Sequence, residues 1–146
     1  MSTYHCLHYH WICATKERRP FIRTEWRSRF HEYLGGTVRG LGGIPLRIGG
    51  VEDHVHLLFG LKTTHCLADF SRELKKASSS WAAEQRYGDF AWQEGYTVFS
   101  VSQSVVEAVS RYIAGQEAHH RKLGFREELV LLLERHGVEW DSRFLP

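Results

Sequence analysis

The 146-residue chain has no run of apolar residues approaching the ~18–20 needed to cross a bilayer. Its start, Met1-Ser2-Thr3-Tyr4-His5, lacks the basic flank and apolar stretch of a secretory signal. A cytoplasmic protein with no membrane-embedded part is the expectation. Cysteine is scarce: Cys6, Cys13 and Cys66 are odd in number, and no two share a CxxC spacing. Nothing in them points to zinc or redox chemistry, so they are expected as small core fillers in a reducing compartment. The chain also lacks an excess of one charge. Its 19 Lys+Arg against 17 Asp+Glu leave a formal net charge of +2, so any contact with nucleic acid must come from local basic patches rather than a global field. Repeats, low-complexity tracts and Pro/Ser linkers are absent. With 42% hydrophobic and 13% aromatic residues, one domain spanning 1–146 with a real core is expected.

Turn residues and hydrophobic periodicity divide the chain into elements. Residues 4–15, rich in Tyr, His, Trp, Ile and Cys, read as a first strand followed by a turn at Lys16–Pro20. Trp26, Phe30, Tyr33, Leu34 and Val38 have helical spacing after Thr24, a candidate N-cap. The helix ends at the glycines 40, 42 and 43, and Gly35-Gly36 weakens its middle. Ile44–Val51 and His54–Phe59 form two strands joined by a tight hairpin at Glu52-Asp53. A second helix covers Leu67–Arg86 with Leu67, Phe70, Leu74, Ala77 and Trp81 on one face, and a strand covers Tyr96–Val101. A helix capped by Ser102 or Ser104 runs over Val105–Lys122, and a last one over Arg126–His136 stops at Gly137. The order βαββαβ with appended helices predicts an α+β domain: a ferredoxin-like antiparallel sheet with helices packed on it, a helix bearing Tyr112 and a short terminal helix.

Two patterns carry chemistry. Along a strand, alternate side chains share a face, so His54 and His56 point one way while Val55, Leu57 and Phe59 point the other. The strand rise separates alternate Cα atoms by ~6.5–7 Å, close enough for both rings to reach one ion. On the later helix, Val105, Val109 and Ile113 define a stripe that also holds Tyr112 and Gln116, one turn apart. An amide on such a stripe costs ~1–3 kcal/mol unless it finds partners, so Gln116 points to a polar task. Taken singly, each pattern also fits ordinary sheet-face histidines and a core tyrosine.

Taken together and in order, the motifs resemble the single-tyrosine HUH transposases of insertion sequences and their relatives associated with repetitive extragenic palindromes. The resemblance rests on His54-Val55-His56 within Asp53–Leu58 and on Tyr112-Ile113-Ala114-Gly115-Gln116. It extends over Thr15–Pro20, Leu74–Trp81, Gly95-Tyr96 with Ser100–Ser102, and Gln116–Lys122. It implies a metal-dependent transposase that nicks and rejoins single-stranded DNA through a 5′-phosphotyrosine on Tyr112. His54, His56 and Gln116 would ligate Mg²⁺ or Mn²⁺, and no small-molecule cofactor is needed. The implied partners are single-stranded DNA with hairpin ends and a second copy of the chain in a homodimer, whose tyrosine helix can complete the partner's site.

Three basic clusters are candidates for phosphate contacts: Lys16, Arg18 and Arg19; Arg72, Lys75 and Lys76; Arg121 and Lys122. Trp92, Tyr96 and Phe99 could stack on bases or fill the core. His119 and His120 are candidate bases for the phenol proton. Two alternatives are a domesticated relative that binds hairpin DNA without cutting, and a metal-dependent phosphodiesterase that uses water with Tyr112 only structural.

Overall fold

Val55, Leu57 and Phe59 alternate with His54, His56 and Leu58 along a strand that is buried over its whole length. This strand, β3 (His54–Gly60), lies inside a four-stranded antiparallel sheet of the computed structural model, which describes residues 2–146. Its partners are β1 (His8–Ala14) and β2 (Ile44–Val51), and β4 (Thr97–Val101) pairs with the far side of β1, giving the order β2-β3-β1-β4. This is the ferredoxin-like α+β arrangement read from the sequence.

Period-two alternation gives the sheet two different faces. On one, Trp11, Cys13, Val55, Leu57 and Phe59 meet α1 (Thr24–Gly40) and α2 (Leu67–Glu84) through Trp26, Phe30, Leu34, Val38, Phe70 and Leu74. The opposite face carries His10, Ile12, Ala14, His54, His56, Leu58, Phe99 and Val101. There α3 (Val106–Ala114) packs through Ile113, and α5 (Phe125–Arg135) packs through Phe125, Leu129, Leu132 and Leu133. Both faces are therefore covered, and the histidines lie under the second layer.

The structure corrects several element boundaries. β1 starts at His8 rather than residue 4, because its neighbours β3 and β4 run out at Gly60 and Val101, both opposite His8. Thr24 is the first helical residue rather than the cap: Arg23, extended, precedes it, and no side chain caps the helix. Gly35 lies inside α1 where an added Cβ would stand 3.3 Å from Ile48 Cδ1, so the glycine serves packing rather than weakness. The predicted stripe faces the core, with Phe70 and Leu74 buried and Leu67 and Trp81 half-buried against it, and Ser71, Ser78 and Ala82 join it as buried members that the spacing of large apolar residues did not mark. Ser71 and Ser78 accept the indole N–H groups of Trp11 (3.0 Å) and Trp92 (2.9 Å), so the serines hold core indoles that need partners. Of the cysteines only Cys13 is a core filler; Cys6 and Cys66 are exposed.

The predicted single helix over Val105–Lys122 is broken. A 3-10 turn (Gln103–Val105) leads into α3, and Gly115 separates α3 from the short α4 (Gln116–His119). Neither Ser102 nor Ser104 caps it; their hydroxyls bond each other.

Candidate active site

His54 and His56 are brought onto the covered face by strand alternation, and both are fully buried. Their Nδ1 atoms are already engaged: that of His54 lies 2.7 Å from Asp53 Oδ1, and that of His56 lies 2.7 Å from His10 Nε2. A carboxylate or ring nitrogen behind an imidazole fixes its orientation and tautomer, leaving Nε2 to face inward. Burial pulls the His54 pKa down, but the hydrogen bonds to Asp53 and Glu128 outweigh it and push the value up to about 9. Burial dominates at His56 and His10, whose pKa values fall to about 4 and about 3, so both rings stay neutral.

Tyr112 and Gln116 reach the same place from across the break. Gly115 (φ −90°, ψ 14°) shares its N–H between the carbonyls of Arg111 (3.1 Å) and Tyr112 (3.3 Å), ending α3 just before Gln116. The amide is 1% exposed, with Oε1 3.1 Å from His54 Nε2. Close approach of α3 to β2 depends on Gly49, where an added Cβ would fall 2.3 Å from the Ile113 carbonyl oxygen and 2.9 Å from its Cγ2.

At the centre is a residue the sequence reading missed. Glu128 of α5 is 1% exposed. Its Oε1 lies 3.1 Å from His56 Nε2, 3.1 Å from His120 Nε2 and 3.5 Å from His54 Nε2. Its Oε2 accepts hydrogen bonds from the Tyr112 hydroxyl and from Gln116 Nε2 (3.1 Å). Burial favours the neutral acid, but hydrogen bonding with His120, His54 and His56 holds the carboxyl well below the usual range. Burial, and then the Glu128 charge, push the Tyr112 phenol well above its ordinary range. One signal for Glu128 was present in the sequence: it falls on the buried stripe of Phe125, Leu129, Leu132 and Leu133, where a carboxylate is costly.

The candidate bases divide. His120 Nε2 is 2.9 Å from Gln116 Oε1, so this ring belongs with the inward-facing ligand atoms. His119 Nε2 lies 3.3 Å from Glu128 Oε2 but is misaligned and forms no hydrogen bond. The phenol itself bonds Glu128, not a histidine.

These residues fit a divalent cation. Ligand atoms of His54, His56, His120 and Glu128 all lie within 4.8 Å of one another. The ion-pair partners of the buried carboxylate, among the described residues, are histidines alone, with no Lys or Arg. Three imidazole nitrogens, an amide oxygen and a carboxylate oxygen form a mixed N/O donor set suited to a divalent first-row metal and to Mg²⁺ or Mn²⁺.

Beside the phenol lies a cleft of about 450 Å³ lined in part by His10, Ser100, Val109, Tyr112, Arg135 and His136. Arg135 is exposed at its edge. Of the predicted basic clusters, Lys16, Arg18, Arg19, Lys76, Arg121 and Lys122 are exposed, and Arg19 pairs with Glu17. Lys75 instead donates to the carbonyls of Gln93 and Gly95, each at 2.7 Å, and so ties down the segment leading into β4. Trp92 and Phe99 are core residues, and Tyr96 stacks on Trp11.

A sheet-borne His-x-His pair under two successive helices that present tyrosine and glutamine defines a candidate centre for phosphodiester chemistry. Residues 3–116 match the family described as IS200-like transposases. The chain belongs to this family, the single-tyrosine HUH transposases, and is thus of a DNA-processing enzyme class. It is 26% identical over 117 residues to the ISDra2 transposase TnpA of Deinococcus radiodurans, covering 75% of this chain and 84% of that protein. A crystal structure of a candidate transposase from the same organism superposes with a TM-score of 0.61 at 27% identity, covering 80% of this chain and 95% of that one. A REP-associated tyrosine transposase bound to a REP hairpin shares the fold, with a TM-score of 0.62 at 15% identity over 82% of this chain and 74% of that one.

No helix among the described residues is long and apolar enough to cross a membrane.

Proposed function

We propose that this chain nicks single-stranded DNA and rejoins it through a 5′-phosphotyrosine on Tyr112. One observation carries the reading: the Tyr112 hydroxyl is held in the same buried hydrogen-bonded cluster as His54, His56 and Gln116, within a single chain. His54, His56 and Gln116 would hold Mg²⁺ or Mn²⁺. When bound, such a cation polarises the scissile phosphate and offsets the charge that grows on it.

The remaining work falls to side chains. Glu128 holds the phenol oxygen in one position, which reduces the entropy lost on reaching the in-line geometry. Tyr112 Oη forms a bond to phosphorus as the bond from phosphorus to the 3′ oxygen breaks. The phenol gives up its proton in that step, and the DNA leaves with a 3′-hydroxyl. In the metal-free centre, burial and Glu128 push the phenol above its ordinary range and so favour its protonated form. The tyrosyl phosphodiester conserves the energy of the broken bond, and attack by a 3′-hydroxyl reverses the step.

The strand would lie along the cleft beside Tyr112, with Arg135 against a phosphate and Arg121 and Lys122 on the outer path. A DNA hairpin is the substrate form suggested by the fold neighbour bound to a REP hairpin. A homodimer would bring two such centres to two element ends.

The test is incubation with hairpin-bearing single-stranded DNA and Mn²⁺ or Mg²⁺, followed by denaturing gel analysis. Wild type should give a covalent protein–DNA adduct, and Tyr112→Phe should reduce it by at least ~10³-fold. Absence of an adduct with wild type, or cleavage that leaves free 5′ ends, would overturn the reading; free ends would indicate attack by water.

A further inference from the structure

We propose that Glu128 is a direct ligand of the divalent cation and also seats the attacking phenol, with one carboxylate oxygen for each task. This rests on the reading of His54, His56 and Gln116 as the metal centre. It adds a ligand from α5, which lies beyond residue 116, where the family match ends.

The division of the carboxylate is visible in its contacts. Oε1 faces the Nε2 atoms of His56 and His120 at 3.1 Å each and that of His54 at 3.5 Å, the atoms that would surround a cation. Oε2 faces away from them, toward the Tyr112 hydroxyl and Gln116 Nε2. A cation among the imidazoles would therefore meet Oε1 without disturbing the contact to the phenol. His120, also beyond residue 116, adds a third imidazole nitrogen, 3.1 Å from the same carboxylate oxygen.

A purely structural role accounts poorly for this arrangement. α5 docks through Phe125, Leu129, Leu132 and Leu133, and a leucine at 128 would continue that stripe without the several kcal/mol that desolvating a carboxylate costs. With a cation bound, the imidazole and amide ligands are all neutral, and without this carboxylate they would leave the divalent charge uncompensated. An anionic oxygen there halves the net charge of a loaded centre and biases it toward hard ions such as Mn²⁺ and Mg²⁺. Because the same rigid group touches the phenol, the nucleophile is held at a set distance from the cation.

The experiment measures Mn²⁺ binding by the loss of the free-ion EPR signal in wild type, Glu128→Gln and Tyr112→Phe. Glu128→Gln should bind 10- to 100-fold more weakly, on the order of effects for metal-site residues, and Tyr112→Phe, which keeps the carboxylate and loses one hydrogen bond to it, should weaken binding by less than Glu128→Gln does. Mn²⁺-loaded wild type labelled with ¹³C-glutamate should show a resolved ¹³C coupling by pulsed ENDOR, since Glu128 is the glutamate in this cluster. That measurement decides the ligand question even if Glu128→Gln fails to fold. The seating of the phenol is read separately. At saturating Mn²⁺ and DNA, Glu128→Leu should lower the rate of adduct formation ~10-fold or more with KM for DNA within about twofold. Unchanged Mn²⁺ affinity in Glu128→Gln, or no ¹³C coupling with Mn²⁺ bound, would overturn the ligand role. An unchanged adduct rate in Glu128→Leu would overturn the positioning role. If wild type takes up no Mn²⁺ at millimolar concentration, the metal centre itself is wrong.

Discussion

His31 and Arg135 show how single side chains outside the His-Tyr cluster acquire measurable roles. His31 lies on α1 with its Nε2 buried and, among the described residues, without a hydrogen-bond partner. Burial first, and the nearby Arg27 charge second, lower its pKa to about 4. Because the folded pKa is depressed, the unfolded chain binds more protons between pH 6.5 and about 4, and stability must fall as pH drops through that window. The ring is partly exposed, so the loss attributable to it should be only roughly 1–2 kcal/mol. Urea denaturation of wild type and His31→Leu from pH 7 to pH 4 should show a shallower acid slope in the variant; parallel curves would mean that His31 does not titrate this way. Arg135 is judged by DNA binding: Arg135→Ala should weaken binding of single strands and reduce the slope of log K against log salt by about one. An unchanged slope would place the strand elsewhere.

Gly49 decides whether the nucleophile helix can lie on the sheet. Its missing side chain lets the Ile113 carbonyl come within 2.3 Å of where a Cβ would be, and the atom in the way is backbone, which cannot rotate aside. Gly49→Ala should therefore push α3 off β2. Displacing Tyr112 by about 1 Å would cost on the order of 10²-fold in adduct formation, with a destabilisation of ~1–3 kcal/mol. Gly36 is the contrasting case, exposed within α1 with nothing within 4 Å of its would-be Cβ. Gly36→Ala should raise stability by about 1 kcal/mol through helix propensity and leave adduct formation unchanged. Thermal melts paired with adduct assays separate the two outcomes. The interruption at Gly115 belongs to the same scale: it turns the chain between Tyr112 and Gln116 while both still bond Glu128.

The whole molecule is a sheet covered on two sides, and its second layer is the chemical one. A chain ending at Leu123 would lose Phe125, Leu129, Leu132 and Leu133 and uncover Ile12, Ala14 and Phe99. At ~1.5–3 kcal/mol for each buried large apolar side chain, the loss is on the order of 6–12 kcal/mol, an upper estimate. That is comparable with the entire stability of an ordinary domain. Such a truncation should show no cooperative thermal transition, or one lowered by tens of degrees, and should aggregate. A transition near that of the full chain would show that the α1/α2 face folds alone.

The alternation of His54 and His56 against Val55, Leu57 and Phe59 was determined by the sequence itself, because a strand has no choice about which face its side chains take. The same holds for the βαββαβ order, the hairpin at Glu52-Asp53 and the helical spacing of Phe70 and Leu74. Local periodicity marks Glu128 as a costly carboxylate on a buried stripe, but it could not assign Glu128 or His10 to the cluster. Glu128 lies among Arg126, Glu127 and other charged residues and meets His56 across 72 positions of chain. Such a meeting is created only when α5 closes over the sheet. Nor could periodicity place Lys75 on loop carbonyls, Trp92 and Phe99 in the core, or the break at Gly115. Each of these is set by which surfaces compete for burial once the layers assemble, a long-range balance that spacing along the chain does not encode.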